Sequence, residues 1–472
     1  MGTAIDSPMT TIFAPATPPG RAAIAIVRIS GPQTAAALRA LAGDLPPPRR
    51  ASRRRLRNRA GEPLDDALVL WFPGPASYSG EDAAELHLHG GRAVVAAVLE
   101  ALAAAPGLRP AAPGEFTRRA FDNGKLDLTA IEGLADLVAA ESESQRRQAL
   151  RQLDGALARL YDSWRDEVMH ALATMEASID FSDEDLPEHM LESVNHEIRG
   201  VLHGITLHLE DNRRGERLRE GLFVAIVGAP NVGKSSLLNR LARREAAIVS
   251  HHAGTTRDVI EVHMDIAGLP VIVADTAGLR ECADDAADAV EREGVARALA
   301  RAADADLKIA VFDATRRPET DESTLRLIDG DCLVVVNKID LVEDIDGVVE
   351  EMERVVHNLV AAPPETGAGV MDRAVWPLSC RDESGLDAFL RALEAAVTDR
   401  LQPGSLLVLT RARHRAALED CCSALKRFLQ TEPCELAAED LRLAMRALGR
   451  ITGRVDVEDL LDVIFAEFCI GK

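Results

Sequence analysis

Hydrophobic and polar residues alternate with a period of two in the N-terminal part of the chain. Apolar runs that end near Ser30 and Phe72 predict two strands. In a third run, Glu85, His87 and His89 alternate with apolar residues, so a strand here places these three side chains on one face. That face fits either a pocket wall or a solvent-exposed sheet surface. A helical stretch follows, and the first 122 residues therefore predict a small α+β domain.

The apolar period lengthens to three or four residues after Leu126, which predicts helices. One apolar stripe consists of Leu150, Leu153, Leu157, Leu160, Trp164, Val168, Leu172 and Met175. After a break at 183–187 a second stripe begins near Ile198, so two long antiparallel helices are expected. The helical pattern returns from Gly385 to Ile451. We expect this last part to pack on the earlier helices.

Between the two helical parts, short apolar strands alternate with helical segments, which is typical of a doubly wound α/β domain. The predicted fold class is therefore multidomain, α/β plus all-α, with a nucleotide-binding type of sheet inserted into a helical bundle. The expected parts are an N-terminal α+β domain at 1–122, a first helical part at 123–220, the inserted α/β domain at 221–383 and a second helical part at 384–472.

The composition excludes several classes of protein. Hydrophobic residues make up 47% and charged residues 28%, as in ordinary globular proteins. No apolar stretch approaches the roughly 18 residues that span a bilayer, and no signal-peptide pattern is present, so we expect a cytoplasmic protein without membrane contact. The seven cysteines show no C-x-x-C spacing, which argues against a disulfide framework or a zinc site.

The formal net charge of −22 argues against a general nucleic-acid-binding surface. One local exception is the segment 49–59, in which seven of eleven residues are arginine. This basic segment fits either a solvated loop or a local contact with RNA.

A glycine-rich turn joins the first strand of the inserted domain to a helix. Residues 228–235 have the spacing G-x-x-x-x-G-K-S and follow the apolar run 223–227. The glycines let the backbone approach phosphates so that successive N–H groups point inward. Lys234 supplies a positive charge for the β- and γ-phosphates, and Ser235 offers a hydroxyl to Mg²⁺. The pattern predicts a nucleotide phosphate site.

Two further segments follow in the order that a nucleotide switch requires. The segment 254–258 reads G-T-T-R-D, and its Thr256 can reach Mg²⁺ when nucleotide is bound. The segment 275–278 reads D-T-A-G after an apolar run, which places Asp275 behind Mg²⁺ and the Gly278 amide at the γ-phosphate. Loss of the γ-phosphate would release both segments, so hydrolysis would cause a conformational change.

The base-reading motif is Asn337-Lys338-Ile339-Asp340, which follows another apolar run. The Asp340 carboxylate accepts from the N–H groups on the guanine edge, whereas adenine would leave it unpaired. Ser379-Cys380-Arg381 lies where a second base-contacting loop is expected. The motifs in this order predict GTP as the ligand.

The catalytic arrangement differs from that of the small regulatory GTPases. Leu279 follows Gly278, at the position of the water-orienting glutamine of those GTPases, and an apolar side chain cannot align water. Acidic residues in the segment 281–293 are candidates for that role. Asn231 offers a neutral oxygen beside the phosphates and fits a bound monovalent cation, which would supply the charge of an absent arginine finger.

Four segments are more specific than the general GTPase motifs: 16–21 (ATPPGR), 254–258 (GTTRD), 275–280 (DTAGLR) and the C-terminal 469–472 (CIGK). With them the chain resembles, over nearly its whole length, the tRNA-modifying GTPases of the MnmE (TrmE) family. The resemblance implies an N-terminal domain that is similar to folate-binding domains, dimerises and holds a 5-formyltetrahydrofolate-type one-carbon donor.

Folate contacts carried over from the family fall on Arg28, Glu85, Lys125 and Lys472, which would make the Glu85 face a pocket wall. Cys469 belongs to the family's C-terminal tail, and no chemical role is assigned to it.

The resemblance also implies a K⁺ ion beside the nucleotide that brings two G domains together. Its ligands would be Asn231, Ser250, the His252 carbonyl and Thr255. The water-positioning acid maps to Glu291.

With Glu291, the catalytic set would contain Thr256 and Gly278, and Mg²⁺ would be held by Ser235 and Thr256. The nucleotide-binding residues expected from the motifs and the resemblance are Asn231, Val232, Gly233, Lys234, Ser235, Ser236, Ser250, His251, His252, Ala253, Gly254, Thr255, Thr256, Asp275, Thr276, Ala277, Gly278, Asn337, Lys338, Ile339, Asp340, Ser379, Cys380 and Arg381.

The family works with the FAD-dependent protein MnmG, expected here as a heterotetramer, on carbon 5 of the wobble uridine of tRNA. The group installed is aminomethyl or carboxymethylaminomethyl, and GTP hydrolysis drives a conformational cycle. One alternative is a ribosome-assembly GTPase that checks RNA without altering it, but a second G domain or a KH domain is not evident. Another is a folate-dependent one-carbon transferase that its GTPase regulates.

Overall fold

The computed structural model describes most of the chain. The described residues are 10–180, 189–211, 213–244, 247–248, 260–275, 305–316, 321–359, 375–401, 409–431, 434–455, 461, 464–465, 468 and 471.

The strands and helices of the described residues follow in chain order. The strands are β1 (Thr11–Pro15), β2 (Ile24–Ser30), β3 (Ser52–Arg57), β4 (Pro63–Phe72), β5 (Ala83–His89), β6 (Leu108–Pro110), β7 (Leu222–Val227), β8 (Ala247–Ile248), β9 (Ile260–Ile266), β10 (Leu269–Asp275), β11 (Leu307–Asp313), β12 (Cys332–Asn337) and β13 (Val375–Pro377). The helices are α1 (Thr34–Ala42), α2 (Arg92–Ala103), α3 (Glu115–Asp122), α4 (Leu128–Ala139), α5 (Glu143–Leu153), α6 (Ala156–Asp180), α7 (His189–Leu209), α8 (Arg214–Glu220), α9 (Lys234–Arg244), α10 (Glu322–Leu325), α11 (Ile345–Leu359), α12 (Leu386–Leu401), α13 (Ala412–Phe428) and α14 (Cys434–Thr452).

The chain divides into two compact units. The first is built from Met1–Val138, Leu150–Val201 and Asp420–Lys472, and the second from Ala139–Ala149 and Leu202–Glu419.

The first unit contains a six-stranded sheet with the order β3-β4-β5-β2-β1-β6. All neighbouring strands are antiparallel except β1 and β6. Leu38 of α1 and Leu102 of α2 join Leu86 and Leu88 of β5 in the core on one face of this sheet. The period-two pattern predicted for this strand is confirmed, because Glu85 and its polar alternates lie on the opposite face.

The arginine-rich segment forms an edge strand rather than a loop. Leu56 of β3 is fully buried, which fixes the strand on the sheet. Arg55 on the opposite face makes two hydrogen bonds, of 3.0 and 2.8 Å, to the Asp66 carboxylate of β4. Charged side chains on an edge strand oppose pairing with a further strand. The prediction of a loop is therefore wrong, because the backbone forms a strand. Most of these arginine side chains are nevertheless exposed to solvent.

The helices of the first unit pack differently from the predicted pair. Helix α6 packs mainly against α14. The two apolar stripes predicted α7 as its main partner instead. Ala444 and Ala447 of α14 are almost fully buried, and such small side chains let two helix backbones approach closely. The expected packing of the C-terminal helical part on the earlier helices is therefore found at α6.

The second unit contains a seven-stranded sheet with the order β13-β12-β11-β7-β10-β9-β8. The strands from β13 to β10 are parallel, and β9 and β8 are antiparallel additions at one edge. Helices α9 and α12 cover one face and α11 covers the other, so both faces are buried. The predicted doubly wound α/β sheet, and with it the multidomain fold class, is confirmed.

The predicted boundary at residue 383 separates α12 from the sheet on which this helix packs. Helix α12 begins at Leu386, and its Phe389 and Leu393 are fully buried in the same core as the sheet. Its apolar face belongs to the α/β domain rather than to the helical part, because helical period alone does not reveal which partner a helix covers. The α/β domain therefore extends to Leu401.

Candidate functional site

Loops from several strands of the second unit meet where the parallel strands end. Ligands of open α/β sheets bind at these carboxyl ends. A cavity of about 670 Å³ lies here. Its walls are formed by Pro230, Asn231, Gly233, Lys234, Ser235, Ser236, Asn337, Lys338, Asp340, Leu341, Ser379, Cys380 and Arg381. The structure thus brings the predicted phosphate-binding and base-reading segments into one cleft.

The phosphate loop runs from the end of β7 into α9. Lys234, the first residue of α9, is 4% exposed, and its Nζ donates to the Gly228 and Ala229 carbonyls at 2.8 Å each. A Cβ on Gly228 would lie 2.4 Å from the Val311 carbonyl oxygen, so only glycine fits against β11. The ammonium group is therefore held inside the loop, where phosphate oxygens would approach.

Asn337 connects the phosphate loop to the base-reading loops. Its Nδ2 donates to the Val232 carbonyl at 2.7 Å, and its Oδ1 accepts from the Cys380 amide at 3.1 Å. A Cβ on Gly233 would lie 2.1 Å from the same Nδ2, which explains the second glycine of the motif. Asn337 is 2% exposed, so its role is to brace the loops. Val232 is also buried and contributes its backbone.

Lys338 forms a second brace. It has a left-handed backbone with φ of 68°, and its Nζ donates to the Asn231 carbonyl at 2.6 Å and to Asp313 Oδ2 at 2.7 Å. Burial raises the pKa of Asp313, but the hydrogen bonds from Lys338 and Thr315 outweigh it and leave the pKa below its usual value. Asp313 therefore stays ionised near neutral pH and holds the Lys338 ammonium in place.

Asp340 lies in the same cavity as Lys234. Its Oδ1 accepts from the Ser379 hydroxyl at 2.7 Å, and Arg381 NH1 lies 3.8 Å from its Oδ2. Burial raises the pKa of the Cys380 thiol to about 11, so this thiol is neutral and acts as a small side chain. Ile339 is buried in the core below the loop. The Asp340 carboxylate is thus presented as an acceptor for a base edge.

Ser235 and Asp275 are the described residues of the predicted Mg²⁺ site. Ser235 Oγ donates to Asp275 Oδ2 at 2.5 Å, and Asp275 is 3% exposed at the end of β10. A hydroxyl beside a buried carboxylate is a set of hard oxygen ligands that suits Mg²⁺. The donors present therefore fit the ion, which Ser235 and Asp275 would hold.

A second cavity, of about 320 Å³, lies on the polar face of the sheet in the first unit. Its walls are formed by Arg28, Ser30, Arg49, Phe72, Ala76, Ser77, Tyr78, Ser79, Ala83, Ala84, Glu85 and Phe116. Arg28 NH2 lies 3.0 Å from Glu85 Oε1, and its guanidinium carbon lies 5.4 Å from the Tyr78 ring centre and 5.8 Å from that of Phe116. Two predicted folate contacts therefore meet in an aromatic-lined cavity.

The C-terminal tail reaches the same cavity residue. Arg28 NH1 donates to the Gly471 carbonyl at 3.3 Å. Gly471 has φ of 104°, and a Cβ on it would lie 2.1 Å from the Pro15 carbonyl oxygen, so only glycine fits here. Lys125, another predicted folate contact, does not line the cavity. The Cε atom of Lys125 lies 3.4 Å from the position that a Cβ on Gly80 would occupy.

Comparisons with known proteins agree over both units. Two family models match, the MnmE helical domain over residues 128–469 and the GTP-binding protein TrmE N-terminus over residues 11–125. The tRNA modification GTPase MnmE of Paramagnetospirillum magneticum is 56% identical over 463 residues, which cover 98% of this chain and 99% of that protein. The chain belongs to the MnmE family.

Membership in the MnmE family implies GTP and Mg²⁺ as ligands of the larger cavity. A second relative, the tRNA modification GTPase MnmE of Rhodospirillum rubrum, is 54% identical over 475 residues, covering 98% of this chain and 99% of its own. Among solved structures, a variant of Era from Aquifex aeolicus bound to GDP and AlF4⁻ aligns with 26% identity and a TM-score of 0.28. That alignment covers 45% of this chain and 68% of the Era chain.

Several residues predicted for the MnmE-type site lie outside the described residues. They are Ser250, His251, His252, Ala253, Gly254, Thr255, Thr256, Thr276, Ala277, Gly278, Glu291, Cys469 and Lys472. Of the predicted K⁺ ligands, Asn231 is described and lines the nucleotide cavity.

Sequence reasoning missed several cavity residues. Pro230 and Leu341 line the nucleotide cavity from positions inside and directly after the motifs. Phe72, Tyr78 and Phe116 line the smaller cavity, although aromatic residues make up only 3% of the chain. The scarcity of aromatic residues makes each of them a candidate for a special role. The sequence positions of these three residues do not reveal that they meet in one cavity. In the parts of the chain that are described, every helix is too short or too polar to cross a membrane.

Proposed function

We propose that this MnmE-family chain is a potassium-activated GTPase that acts in the modification of the wobble uridine of tRNA. With the FAD-dependent partner MnmG, in a heterotetramer, it would add an aminomethyl or carboxymethylaminomethyl group to carbon 5. A 5-formyltetrahydrofolate-type donor would supply the carbon. The reaction would take place in the cytoplasm, where tRNA is used.

The observation that carries the GTPase proposal is the single cleft shared by Lys234, Ser235 and Asp340. These side chains would act on different parts of one nucleotide. Lys234 would neutralise charge on the β- and γ-phosphates, and Ser235 would hold Mg²⁺, which stabilises developing charge during phosphoryl transfer. Asp340 would accept hydrogen bonds from the guanine edge and so exclude adenine. Asn337 keeps the two ends of the cleft at a fixed separation.

The hydrolytic step is proposed to depend on residues near the phosphate loop. Asn231 would ligate K⁺ together with Ser250, Thr255 and the His252 carbonyl, and the ion would supply positive charge beside the phosphates. Glu291 would position the water, with Thr256 and the Gly278 amide in contact with Mg²⁺ and the γ-phosphate. The position of Asn231 at the rim of the nucleotide cavity supports this assignment.

The smaller cavity supports the folate assignment. A pterin ring is flat and carries N–H groups along one edge. Tyr78 and Phe116 offer aromatic faces for such a ring, and Glu85 offers carboxylate oxygens to its N–H groups. Arg28 would contact the ligand or orient Glu85, to which it is bonded. Lys472 would join this site, because Gly471 contacts Arg28.

The polar face of the N-terminal sheet supports the proposed homodimer. Ile24 is 60% exposed and Leu68 is 47% exposed, and both lie on the face opposite the α1 and α2 core. Exposed apolar side chains on β2 and β4, which flank β5 in the sheet, favour burial against another surface. We propose that a second copy of the chain covers them. The proposed domains are 1–122, 123–220, 221–383 and 384–472, and the packing of α12 supports an α/β domain that extends to Leu401.

The experiment that tests this function uses undermodified tRNA, GTP, a reduced folate donor and MnmG. We expect the chain to support modification of the wobble uridine only when MnmG is present, because the FAD of that partner would supply the redox chemistry. A Lys234→Ala variant should reduce product formation by at least about 100-fold, since it removes the charge at the phosphates.

Modification by the purified chain alone would favour the folate-dependent transferase instead. GTP hydrolysis that ribosomal particles stimulate, with no change in tRNA nucleosides in the complete mixture, would favour the ribosome-assembly alternative.

A further inference from the structure

The peptide group between Gly228 and Ala229 is held from both sides. Its carbonyl oxygen accepts from Lys234 Nζ at 2.8 Å. Its N–H, which belongs to Ala229, donates to Asp321 Oδ2 at 2.9 Å. A single peptide plane therefore connects the Asp321 carboxylate to the Lys234 ammonium. Asp321 itself is not among the residues that line the nucleotide cavity.

The Asp321 carboxylate is fixed by the start of helix α10. Its Oδ1 accepts from the Ser323 hydroxyl at 2.9 Å and from the Thr324 amide at 3.2 Å. Its Oδ2 accepts from the Thr324 hydroxyl at 2.6 Å, in addition to the Ala229 amide. Burial raises the pKa of Asp321, but these hydrogen bonds outweigh it and the pKa lies below its usual value. The group is thus an ionised and oriented acceptor.

The surroundings restrict the peptide further. Gly228 is in close contact with the Val311 carbonyl of β11, where even a Cβ would not fit. This contact opposes a shift of the peptide toward the sheet, but it does not oppose rotation of the peptide about its axis. A hydrogen bond to an ionised carboxylate is roughly twice as strong as a neutral one and opposes that rotation. The opposite orientation would turn the carbonyl away from Lys234.

We propose that Asp321 is a positioning residue of the phosphate loop, which orients the Gly228–Ala229 peptide so that its carbonyl holds Lys234 Nζ at the β- and γ-phosphate site. The inference rests on the proposed GTPase function. It concerns the part of the cleft that binds the terminal phosphates. The guanine-reading residue Asp340 accepts from the Ser379 hydroxyl, and Asp321 takes no part in that hydrogen bond.

The test is the Asp321→Asn variant of the full chain. Ser323 and the Thr324 amide both donate to Oδ1, so the asparagine oxygen is expected to keep that position and the helix cap. The asparagine NH2 then faces the Ala229 N–H and cannot accept from it. We expect GDP affinity and the kcat/KM for GTP to fall by about 10-fold. GMP affinity should change less than about twofold, because GMP lacks the phosphates that Lys234 contacts.

The matched control is Asp344→Asn. Asp344 Oδ1 accepts from the Gly347 amide at 2.9 Å near the start of α11, outside the residues that line the cavity. This control tests the general effect of losing a carboxylate at the start of a helix. The affinities for GDP and GMP and the kcat/KM for GTP should stay near the wild-type values. The Asp321→Ala variant, with its melting temperature measured alongside, should weaken GDP binding at least as much as Asp321→Asn.

Equal weakening of GDP and GMP in Asp321→Asn would reduce the residue to a structural role and overturn the inference. Wild-type GDP affinity in that variant would overturn it as well. If the wild-type chain binds neither GDP nor GTP, the proposed function fails and the inference fails with it. Failure of the inference alone appears only in the Asp321→Asn variant, so the two failures are distinguishable.

Discussion

The Asp340→Asn variant is expected to lose GTP as a substrate and to accept xanthosine triphosphate. The asparagine oxygen can retain the bond from Ser379 Oγ, now 2.7 Å from Asp340 Oδ1. The other position then carries an NH2 donor, which opposes the N–H groups of guanine but pairs with the C2 carbonyl of xanthine. Loss of two charge-assisted hydrogen bonds should lower the kcat/KM for GTP by about 100- to 1000-fold.

The measurement is steady-state hydrolysis of GTP and xanthosine triphosphate by the purified variant. Glu343→Gln is the matched control, because Glu343 is an exposed acid shortly after the motif and does not line the cavity. It should keep the wild-type preference for GTP. If Asp340→Asn also keeps that preference, the assignment of Asp340 as the base reader is wrong.

GTP turnover is expected to be at least about 10-fold faster in K⁺ than in Na⁺ at equal ionic strength. The sequence has Leu279 where small regulatory GTPases carry a water-orienting glutamine, and no sequence motif marks an arginine as a finger. A bound K⁺ ion would supply this missing positive charge, whereas the smaller Na⁺ ion would not match the same oxygen ligands. The effect should appear in kcat, because the ion acts on the charge that develops during hydrolysis.

Asn231 provides the internal control for the ion. Asn231→Ala should hydrolyse GTP slowly in both salts, while its GDP affinity in K⁺ should remain within about threefold of the wild type. Its backbone carbonyl, which accepts from Lys338, remains in this variant. Equal rates of the wild-type chain in K⁺ and Na⁺ would contradict the cation assignment.

The nucleotide cleft was predictable because its chemistry depends on short segments with fixed spacing. Gly228, Gly233 and Lys234 are required by backbone contacts and by phosphate charge, and the structure shows the close contacts that exclude a Cβ at both glycines. The doubly wound sheet also followed from the pattern, because parallel strands buried on both faces are continuously apolar. Local constraints of this kind can be recognised from the sequence alone.

The smaller cavity was less predictable because its walls come from distant parts of the chain. Arg28 and Gly471 are 443 positions apart and yet share a hydrogen bond. Glu85 fitted a solvent-exposed face equally well until Tyr78 and Phe116 were seen beside Arg28. Period-two alternation identifies a face, but it does not reveal what covers that face.

The errors at β3 and α12 have the same origin. The arginines of β3 suggested a solvated loop, and one buried leucine, Leu56, places the segment in the sheet. Helix α12 has the same apolar period as the helices of the other unit, so its membership in the α/β core depends on shape and not on period. Asp321 is a further example, because its contact with Ala229 spans 92 positions.

The most direct measurement of the proposed function is nucleoside analysis of tRNA from cells that lack this chain. Complete digestion and mass spectrometry should show that the aminomethyl and carboxymethylaminomethyl forms of the wobble uridine are absent. A plasmid copy of the wild-type gene should restore them, and a Lys234→Ala copy should not. An unchanged nucleoside profile in the deletion strain would contradict a role in wobble-uridine modification.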